Sequence, residues 1–359
     1  MRILYLISYA GRAGTEKYVE DLMRTFSARG HDCRLAVWRE GPLSVKMAGE
    51  GFLVLPLDMS PRHVLHSAAA LARYCRDNGI DIVHAQYPRE NVIAVLSRLQ
   101  RWKTRVVFTS HLTISQPLLW QLCNRLLTPL DHAVVAVCSS GVALLRKNGV
   151  CDRRIRYIPN GVETAALPPK QNVILEEAGL APETFVFLIF ARYVPEKGLN
   201  VLLQALAILR NLTDRPFACF IAGEGPQFED VHRGISELGL SDIVIQGGFR
   251  PDSDALLLSA NAYVSASVSS EAMSYSLLEA MRSALPIVAT DVGAGRELAG
   301  DCGYVVRPGD ARELAAAMLR LLSDPVQAKR LGICARERVL TQFDLRVTAE
   351  RLMEIYCAQ

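Results

Sequence analysis

Short apolar runs alternate with longer amphipathic stretches along most of the chain. In the first half, seven runs have the pattern of strands buried on both faces, at Ile3–Ile7, Arg34–Val37, Leu53–Leu57, Ile82–Ala85, Val106–Thr109, Ala133–Val137 and Ile155–Ile158. Helical patterns separate several of these runs, at Thr15–Arg29, Arg62–Asn78, Asn91–Arg101, Ser115–Leu127 and Ser139–Lys147. The alternation predicts an α/β domain with a doubly wound parallel sheet.

A turn signal, Pro159-Asn160-Gly161, and a polar stretch that reaches Gln171 interrupt this series. The alternation then restarts, with strands predicted at Phe185–Phe190, Ala218–Ala222, Ile243–Gln246, Ala262–Ser265, Ile287–Thr290 and Gly303–Val305. Helices are predicted at Leu199–Arg210, Gln227–Leu238, Asp254–Ser259, Ser276–Ser283 and Ala311–Ser323, with more helix to the end. Two series of similar size indicate two Rossmann-like domains, which suits 359 residues at roughly 150 per domain.

Composition indicates a folded protein, because 50% of the residues are hydrophobic and 21% are charged. The nine cysteines are scattered without a C-x-x-C pair, which argues against a disulfide framework or a zinc site. No apolar run approaches the length of a spanning helix, and the start does not resemble a signal peptide. We therefore expect a cytoplasmic protein.

The net charge of +3 divides into +9 for residues 1–165 and −6 for residues 166–359. A basic half indicates an anionic partner, such as a phospholipid surface or a lipid-diphosphate acceptor. The basic segment Arg98–Arg105, with Trp102, and the apolar Pro117–Leu130 are the candidate membrane face. The alternatives are a chance bias of solvated charges, and a charged helix end beside a core helix.

Candidate chemistry follows the strands, as expected of doubly wound sheets, which bind ligands beyond the carboxyl ends of their strands. The first strand leads into the glycine loop Ser8–Glu16, which offers N–H groups to an anion or simply makes a tight turn. Arg192 and Lys197 follow a strand of the second domain and could neutralise a diphosphate. Otherwise they are two surface charges, one of them paired with Glu196.

Two carboxylates eight residues apart, Glu271 and Glu279, make up the most informative segment. The first is predicted in a loop after a strand and the second within a helix, so one could reach a sugar and the other a ribose. A capping box, Ser276-x-x-Glu279, would also explain Glu279 but not Glu271.

This segment, with Leu285–Gly293 after it, resembles the E-x7-E signature of the retaining family-four glycosyltransferases of GT-B fold. The resemblance covers nearly the whole chain, and its other motifs occur in the expected order, at Thr15-Glu16, Gly30-His31, Asp81–Ala85, Thr109–His111, Ile158–Val162, Arg192 with Lys197-Gly198, and Ala222–Pro226. It implies two Rossmann-like domains that face each other across a cleft. Residues 1–165 would be the acceptor side, 166–340 the nucleotide-sugar domain, and 341–359 a helix that packs back on the first domain.

The resemblance also implies roles for individual residues. Arg192 and Lys197 would hold the donor diphosphate, and Glu279 would bind the ribose hydroxyls. Glu271 and the backbone of Ala272, Met273 and Ser274 would line the donor sugar, and His111 would contact a hydroxyl from its other side. The turns at Gly14, Gly223 and Gly225 would approach the donor, and the Gly247–Arg250 turn, with Phe249 and Arg250, would meet the nucleobase.

The predicted function is transfer of a glycosyl group, with retention, from a UDP- or GDP-linked sugar to a saccharide or lipid-linked acceptor, in cell-surface polysaccharide or glycolipid assembly. No cofactor, metal or nucleic acid is expected, since Asp252-Ser253-Asp254 precedes a helix and suits N-capping better than metal binding. The protein is expected in the cytoplasm, either free or peripheral on the inner face of the plasma membrane. Alternatives are a non-hydrolysing nucleotide-sugar epimerase and a catalytically inactive sugar-nucleotide-binding partner. Departures from the common motif, such as Glu271-Ala272-Met273-Ser274 where E-G-F-G is common, leave the donor sugar open.

Overall fold

The structure is a computed structural model that describes residues 1–100, 103–111, 114–166 and 168–358. The chain folds into two compact units, one comprising Met1–Glu163 and Leu345–Gln359, the other Thr164–Asp344. The boundaries expected from the sequence, after residues 165 and 340, lie within a few residues of these. Each unit is built around its own parallel sheet.

The first unit contains seven strands and six helices before residue 163, within its described residues. In chain order they are β1 (Arg2–Tyr9), α1 (Gly14–Ala28), β2 (Asp32–Arg39), α2 (Pro42–Gly49), β3 (Leu53–Pro56), α3 (Val64–Asn78), β4 (Ile82–Ala85), α4 (Pro88–Arg98), β5 (Arg105–Ser110), α5 (Leu118–Leu127), β6 (Ala133–Ala136), α6 (Ser139–Lys147) and β7 (Ile155–Tyr157). Short 3-10 turns occupy Thr128–Leu130 and Asp152–Arg154. The strand order is β3-β2-β1-β4-β5-β6-β7, with every neighbouring pair parallel.

The second unit contains six strands in the order β10-β9-β8-β11-β12-β13, again all parallel. Its elements are α7 (Val173–Glu177), β8 (Phe185–Phe190), a 3-10 turn (Pro195–Lys197), α8 (Leu199–Arg210), β9 (Phe217–Ala222), α9 (Phe228–Glu237), β10 (Val244–Gly248), α10 (Ser253–Ser259), β11 (Ala262–Ser265), α11 (Tyr275–Arg282), β12 (Ile287–Thr290), α12 (Gly295–Ala299), β13 (Gly303–Val306), α13 (Ala311–Ser323) and α14 (Pro325–Gln342). Strands β9 and β12 are buried along their whole length, as expected of a sheet covered on both faces.

The last helix, α15 (Leu345–Cys357), belongs to the first unit. Leu352 and Tyr356 are fully buried, and the Tyr356 hydroxyl lies 2.6 Å from Nδ1 of His84. Arg105 donates to the carbonyl oxygen of Tyr356 at 2.5 Å, and Nε2 of His132 bonds the Ile355 carbonyl at 2.9 Å. These bonds fix α15 beside β4, β5 and β6, so it completes the first core.

The scattered cysteines did not predict a disulfide, and this expectation is wrong at one place. Cys302 and Cys334 are joined by a disulfide that links the turn before β13 to α14, with their Cα atoms 5.2 Å apart. The other seven cysteines, all within the described residues, are not part of a disulfide. A pair 32 residues apart has no local signature, so its proximity follows only from the fold.

The basic segment proposed as a membrane face is only partly solvent-facing. Arg105 is bonded to the Tyr356 carbonyl, and burial lowers the pKa of the half-buried Arg98. Arg101 and Trp102 lie outside the described residues. In the described part of the chain, no helix has both the length and the apolar character needed to cross a bilayer.

Candidate functional site

The strand order of the second sheet reverses between β8 and β11. Consecutive strands run outward from β8 to β10 on one side and from β11 to β13 on the other. Such a switch point leaves a crevice beyond the strand ends, where ligands of doubly wound sheets bind. The segments that follow these two strands, 191–198 and 266–274, carry six of the thirteen predicted site residues.

Lys197 and Glu271 meet at this switch point. Nζ of Lys197 lies 2.5 Å from Oε2 of Glu271, and Ser267 donates its hydroxyl to the same oxygen at 2.9 Å. The two charged side chains are 22% and 16% exposed, so the pair is partly shielded from water. The alternative pairing of Lys197 with Glu196 is wrong, because Lys197 turns toward the neighbouring strand's loop.

The loop around Glu271 is held in an unusual backbone conformation. Ser270 has a φ of 55°, which a residue with a side chain adopts only under constraint. Gly293 (φ 57°) packs against the same loop, and a Cβ there would lie 1.9 Å from the Glu271 carbonyl oxygen. The Ala294 N–H bonds the Ala272 carbonyl at 2.7 Å. Side chains at residue 293 would therefore displace the loop that presents Glu271.

Glu279 lies on α11, and the capping-box explanation for it is wrong. The N-cap of α11 is Ser274, whose hydroxyl accepts from the Leu277 N–H, so Ser276 is already inside the helix. Ala272, Met273 and Ser274 are buried. Burial raises the pKa of the Tyr263 phenol, and the charges of Glu271 and Glu279 add to this rise.

The glycines of the 223–225 turn have a packing role. A Cβ at Gly223 would lie 2.0 Å from the Ala191 carbonyl oxygen, and one at Gly225 would lie 2.6 Å from that of Tyr193. The Tyr193 N–H also donates to the Glu224 carbonyl at 2.9 Å. This turn supports the segment that carries Arg192, whose side chain is exposed.

Arg250, in the turn predicted to meet the nucleobase, forms ion pairs with two carboxylates. Arg250 bonds Asp252 at 2.5 and 2.8 Å and Glu177 at 2.5 and 3.0 Å, while Phe249 beside it is 41% exposed. Asp252 is the N-cap residue of α10 by position, but its side chain makes no capping bond, so the N-capping expectation is wrong. Asp254 pairs with Arg282. Within the described residues, no cluster of three or more His, Cys, Asp or Glu side chains could hold a metal ion.

In the first unit, the glycine loop before α1 is closed by a side chain of its own helix. The Glu16 carboxylate accepts from the N–H groups of Gly11 and Ala13, at 3.1 and 3.2 Å. Two of the N–H groups that the sequence offered to an anion are therefore already bonded. Gly14 is the first residue of α1.

His111 follows β5 and lies in a hydrogen-bonded aromatic cluster. Its Nε2 is 3.0 Å from Oε1 of Gln86, and its ring packs edge-on against Tyr18 with centroids 4.9 Å apart. Burial lowers the pKa of His111 to about 3, so the imidazole is neutral at physiological pH. Nearby, the buried His84 bridges Thr109 and Tyr356, with a pKa also lowered to about 3 by burial first and by His111 second.

Two sequence families divide the chain between them. The family described as Glycosyltransferase Family 4 matches residues 12–166, and the family described as Glycosyl transferases group 1 matches residues 171–338. The chain belongs to the family-four glycosyltransferases.

Similar proteins agree with this assignment. The phosphatidyl-myo-inositol mannosyltransferase of Mycobacterium leprae is 26% identical over 364 residues, which cover 96% of this chain and 92% of that protein. The MMP alpha-(1→4)-mannosyltransferase of Mycolicibacterium hassiacum is 29% identical over 242 residues, 66% of this chain but only 56% of that protein. The structure of HepE from Anabaena with UDP and glucose superposes with a TM-score of 0.86 at 20% identity, covering all of both chains. The fold of this glycosyltransferase is therefore GT-B.

Sequence reasoning missed several residues that shape the site of this glycosyltransferase. Ser267 bonds Glu271, and its carbonyl accepts from the Thr290 hydroxyl at 2.6 Å. Tyr263 bonds the backbone of Phe190 and so ties β11 to β8. Their position at strand ends was a usable signal, but serine and tyrosine are too common there to single out from sequence alone.

Proposed function

We propose that this glycosyltransferase moves a hexosyl group from a nucleoside-diphosphate sugar, UDP- or GDP-linked, to an acceptor hydroxyl with retention of the anomeric configuration. The contact between Lys197 and Glu271 at the switch point of the second sheet carries the proposal. It joins a cation suited to a diphosphate with a carboxylate suited to sugar hydroxyls. HepE, which shares the fold, has been crystallised with UDP and glucose.

The chemistry requires stabilisation of a leaving group. As the bond between the anomeric carbon and the phosphate oxygen breaks, negative charge grows on the diphosphate. Lys197 and Arg192 would stabilise that charge, and Lys197 would do so while it holds Glu271 in place. Glu279, one element further along the chain, would bind the ribose. This division of roles agrees with the resemblance of the motif.

His111 would serve as a neutral hydrogen-bonding group. Because its pKa is lowered to about 3, it adds no positive charge. Oε1 of Gln86 can only accept, and Nε2 of Gln86 donates to the His84 carbonyl, so Nε2 of His111 carries the ring proton. Nδ1 of His111 would then offer a lone pair to a sugar hydroxyl.

We propose that turnover needs no metal ion, because Asp252 and Asp254 are engaged by arginines. A panel of UDP- and GDP-sugars, each incubated with the enzyme alone, should reveal one donor that is hydrolysed slowly, and EDTA should not change its rate. Complete loss with EDTA and recovery with manganese would contradict metal independence. Failure of every nucleotide sugar to bind or react would contradict the proposed function.

A lipid-linked acceptor at an anionic membrane surface is part of the proposal. The Mycobacterium leprae relative is named for phosphatidyl-myo-inositol, and residues 1–165 carry a charge of +9. The expectation that 117–130 forms a core helix beside a charged helix end is wrong for α5, whose Leu118, Leu119 and Leu126 are 69%, 71% and 75% exposed. An exposed apolar face beside basic residues suits a headgroup interface. Such a protein would act on the inner face of the plasma membrane, in glycolipid or polysaccharide assembly.

A further inference from the structure

Gln86 is a fully buried polar side chain in the first unit. It directly follows the last residue of β4, and it bonds the backbone of His84 and the ring of His111. A buried amide between two such groups has its donor and acceptor ends fixed by what each neighbour can offer. The two contacts therefore determine which end of the amide faces His111.

The backbone of His84 sets the orientation of the Gln86 amide. Nε2 of Gln86 donates to the His84 carbonyl oxygen at 3.2 Å. Exchanging the two ends of the amide would place Oε1 against that carbonyl oxygen, and both of these atoms can only accept. Oε1 of Gln86 therefore faces His111, and the 3.0 Å contact is a hydrogen bond donated by Nε2–H of the imidazole.

The bond from His111 to Gln86 determines what the other ring nitrogen can do. A neutral imidazole carries one proton, and with that proton on Nε2 the second nitrogen, Nδ1, is an acceptor only. Tyr18 packs edge-on against the His111 ring with centroids 4.9 Å apart, and the Tyr18 hydroxyl lies 3.2 Å from Oγ1 of Thr109. The ring is therefore held on one side by Gln86 and on its edge by Tyr18, so the Nδ1 lone pair has a defined direction.

We propose that Gln86 is a positioning residue for His111, which it holds as the Nε2–H tautomer so that Nδ1 can only accept a hydrogen bond from the donor sugar. The tautomer follows from the hydrogen bonds alone, whereas the contact with a sugar rests on the proposed function. The hydroxyl that meets His111 must then itself donate. A sugar in which fluorine replaces that hydroxyl has no proton to give, so the enzyme discriminates against it.

A purely structural role for Gln86 makes a different prediction. Such a role would consist of filling space and bonding the His84 carbonyl, and it would not depend on an acceptor atom that faces His111. Methionine has about the length of glutamine but lacks both the N–H group and the carbonyl oxygen. Gln86→Met should therefore lower stability under either role, but only the positioning role predicts a change in which His111 nitrogen is protonated.

Nitrogen-15 NMR of the full chain, labelled at its seven histidines, reads the tautomer directly, and the His111 signals are those missing from His111→Ala. At pH 7 we expect the wild-type proton on Nε2, and at least about a threefold higher ratio of Nδ1–H to Nε2–H in Gln86→Met. Gln86→Glu keeps an oxygen toward His111 and should keep a proton on Nε2. Gln121→Met removes a glutamine that donates to the Gln116 carbonyl at 2.8 Å, and as the matched control it should leave His111 unchanged.

Rates of donor hydrolysis test whether Gln86 acts through His111. Gln86→Met should lower kcat/KM by about three- to tenfold in the wild-type background and by less than about twofold when His111 is already alanine, because nothing is then left to position. Gln121→Met should change neither rate. Among monodeoxyfluoro analogues of the donor, the rejection of one should weaken in Gln86→Met, because the Nδ1–H tautomer can donate to fluorine.

Three results would overturn the positioning role of Gln86. They are a wild-type His111 protonated on Nδ1, which can be seen even if Gln86→Met does not fold, an unchanged tautomer ratio in Gln86→Met, and an equal loss of kcat/KM with and without His111. If no nucleotide sugar reacts, the proposed function fails, and the tautomer measurements alone decide whether Gln86 positions the ring.

Discussion

At the scale of single residues, the contact between Lys197 and Glu271 leads to the most specific prediction. Lys197→Ala should lower kcat by about 10²–10³, since it removes charge stabilisation that develops only in the transition state. It should also cost about 1–3 kcal/mol of stability, because it removes the ion pair that Lys197 makes with the partly buried Glu271. Arg192→Ala should lower kcat similarly with no stability loss, as its side chain is exposed.

The measurements are single-turnover rates with the donor found in the panel and chemical unfolding of each variant. Arg233→Ala, which breaks an exposed i,i+3 pair with Asp230, is the control and should change neither quantity. Near-normal turnover of both Lys197→Ala and Arg192→Ala would show that these cations do not stabilise the transition state.

Buried His84 should make the first unit sensitive to acid. Its pKa falls from an unfolded value near 6.5 to about 3 in the fold, so the neutral form stabilises the protein above pH 6.5 and that contribution is lost as pH falls toward 3. Between pH 7 and pH 5 the loss amounts to about 2 kcal/mol for one histidine. Between pH 7 and pH 5, the free energy of unfolding measured with a denaturant should therefore fall less for His84→Gln than for wild type. His66→Gln, at an exposed histidine, should keep the wild-type drop, and an equal drop in all three proteins would contradict the assignment.

At the scale of elements, α5 has an apolar exposed side. Each leucine removed from water gains roughly 1.5–3 kcal/mol, so Leu118, Leu119 and Leu126 together could hold the protein on a bilayer. Replacing all three with Gln should abolish sedimentation with vesicles that contain phosphatidylglycerol. Val326→Gln, at a residue of α14 that is 80% exposed, should sediment as wild type does. A wild type that stays in solution at low salt would contradict membrane binding.

The elements themselves were largely predictable, and the reason is physical. Strands buried on both faces must be continuous apolar runs, and all thirteen strands of the described chain coincide with predicted runs to within a few residues at each end. The helices that periodicity missed are α2, α7 and α12, which span eight, five and five residues. The five residues of α7 and of α12 make too few turns for a 3.6-residue period to be visible.

At the scale of the whole molecule, the sequence predicted which residues gather at strand ends but not which of them bond. Lys197 and Glu271 are 74 residues apart, and only the switch point brings their loops together. The sequence also did not predict that Glu16 bonds its own glycine loop or that Arg250 bonds Glu177. Each of these side chains had several plausible partners.

The position of α15 affects how the protein is made. The first unit begins at residue 1 but lacks its last helix until residues 345–357 have been synthesised, and all of residues 164–344 are translated in between. At about 5–20 residues per second, a ribosome needs roughly 10–40 s for that stretch. During this interval the second unit is synthesised, while Tyr356, whose hydroxyl bonds His84 in the first unit, has not yet been added. Nascent chains should therefore be most exposed to chaperones and proteases through their earlier-made half.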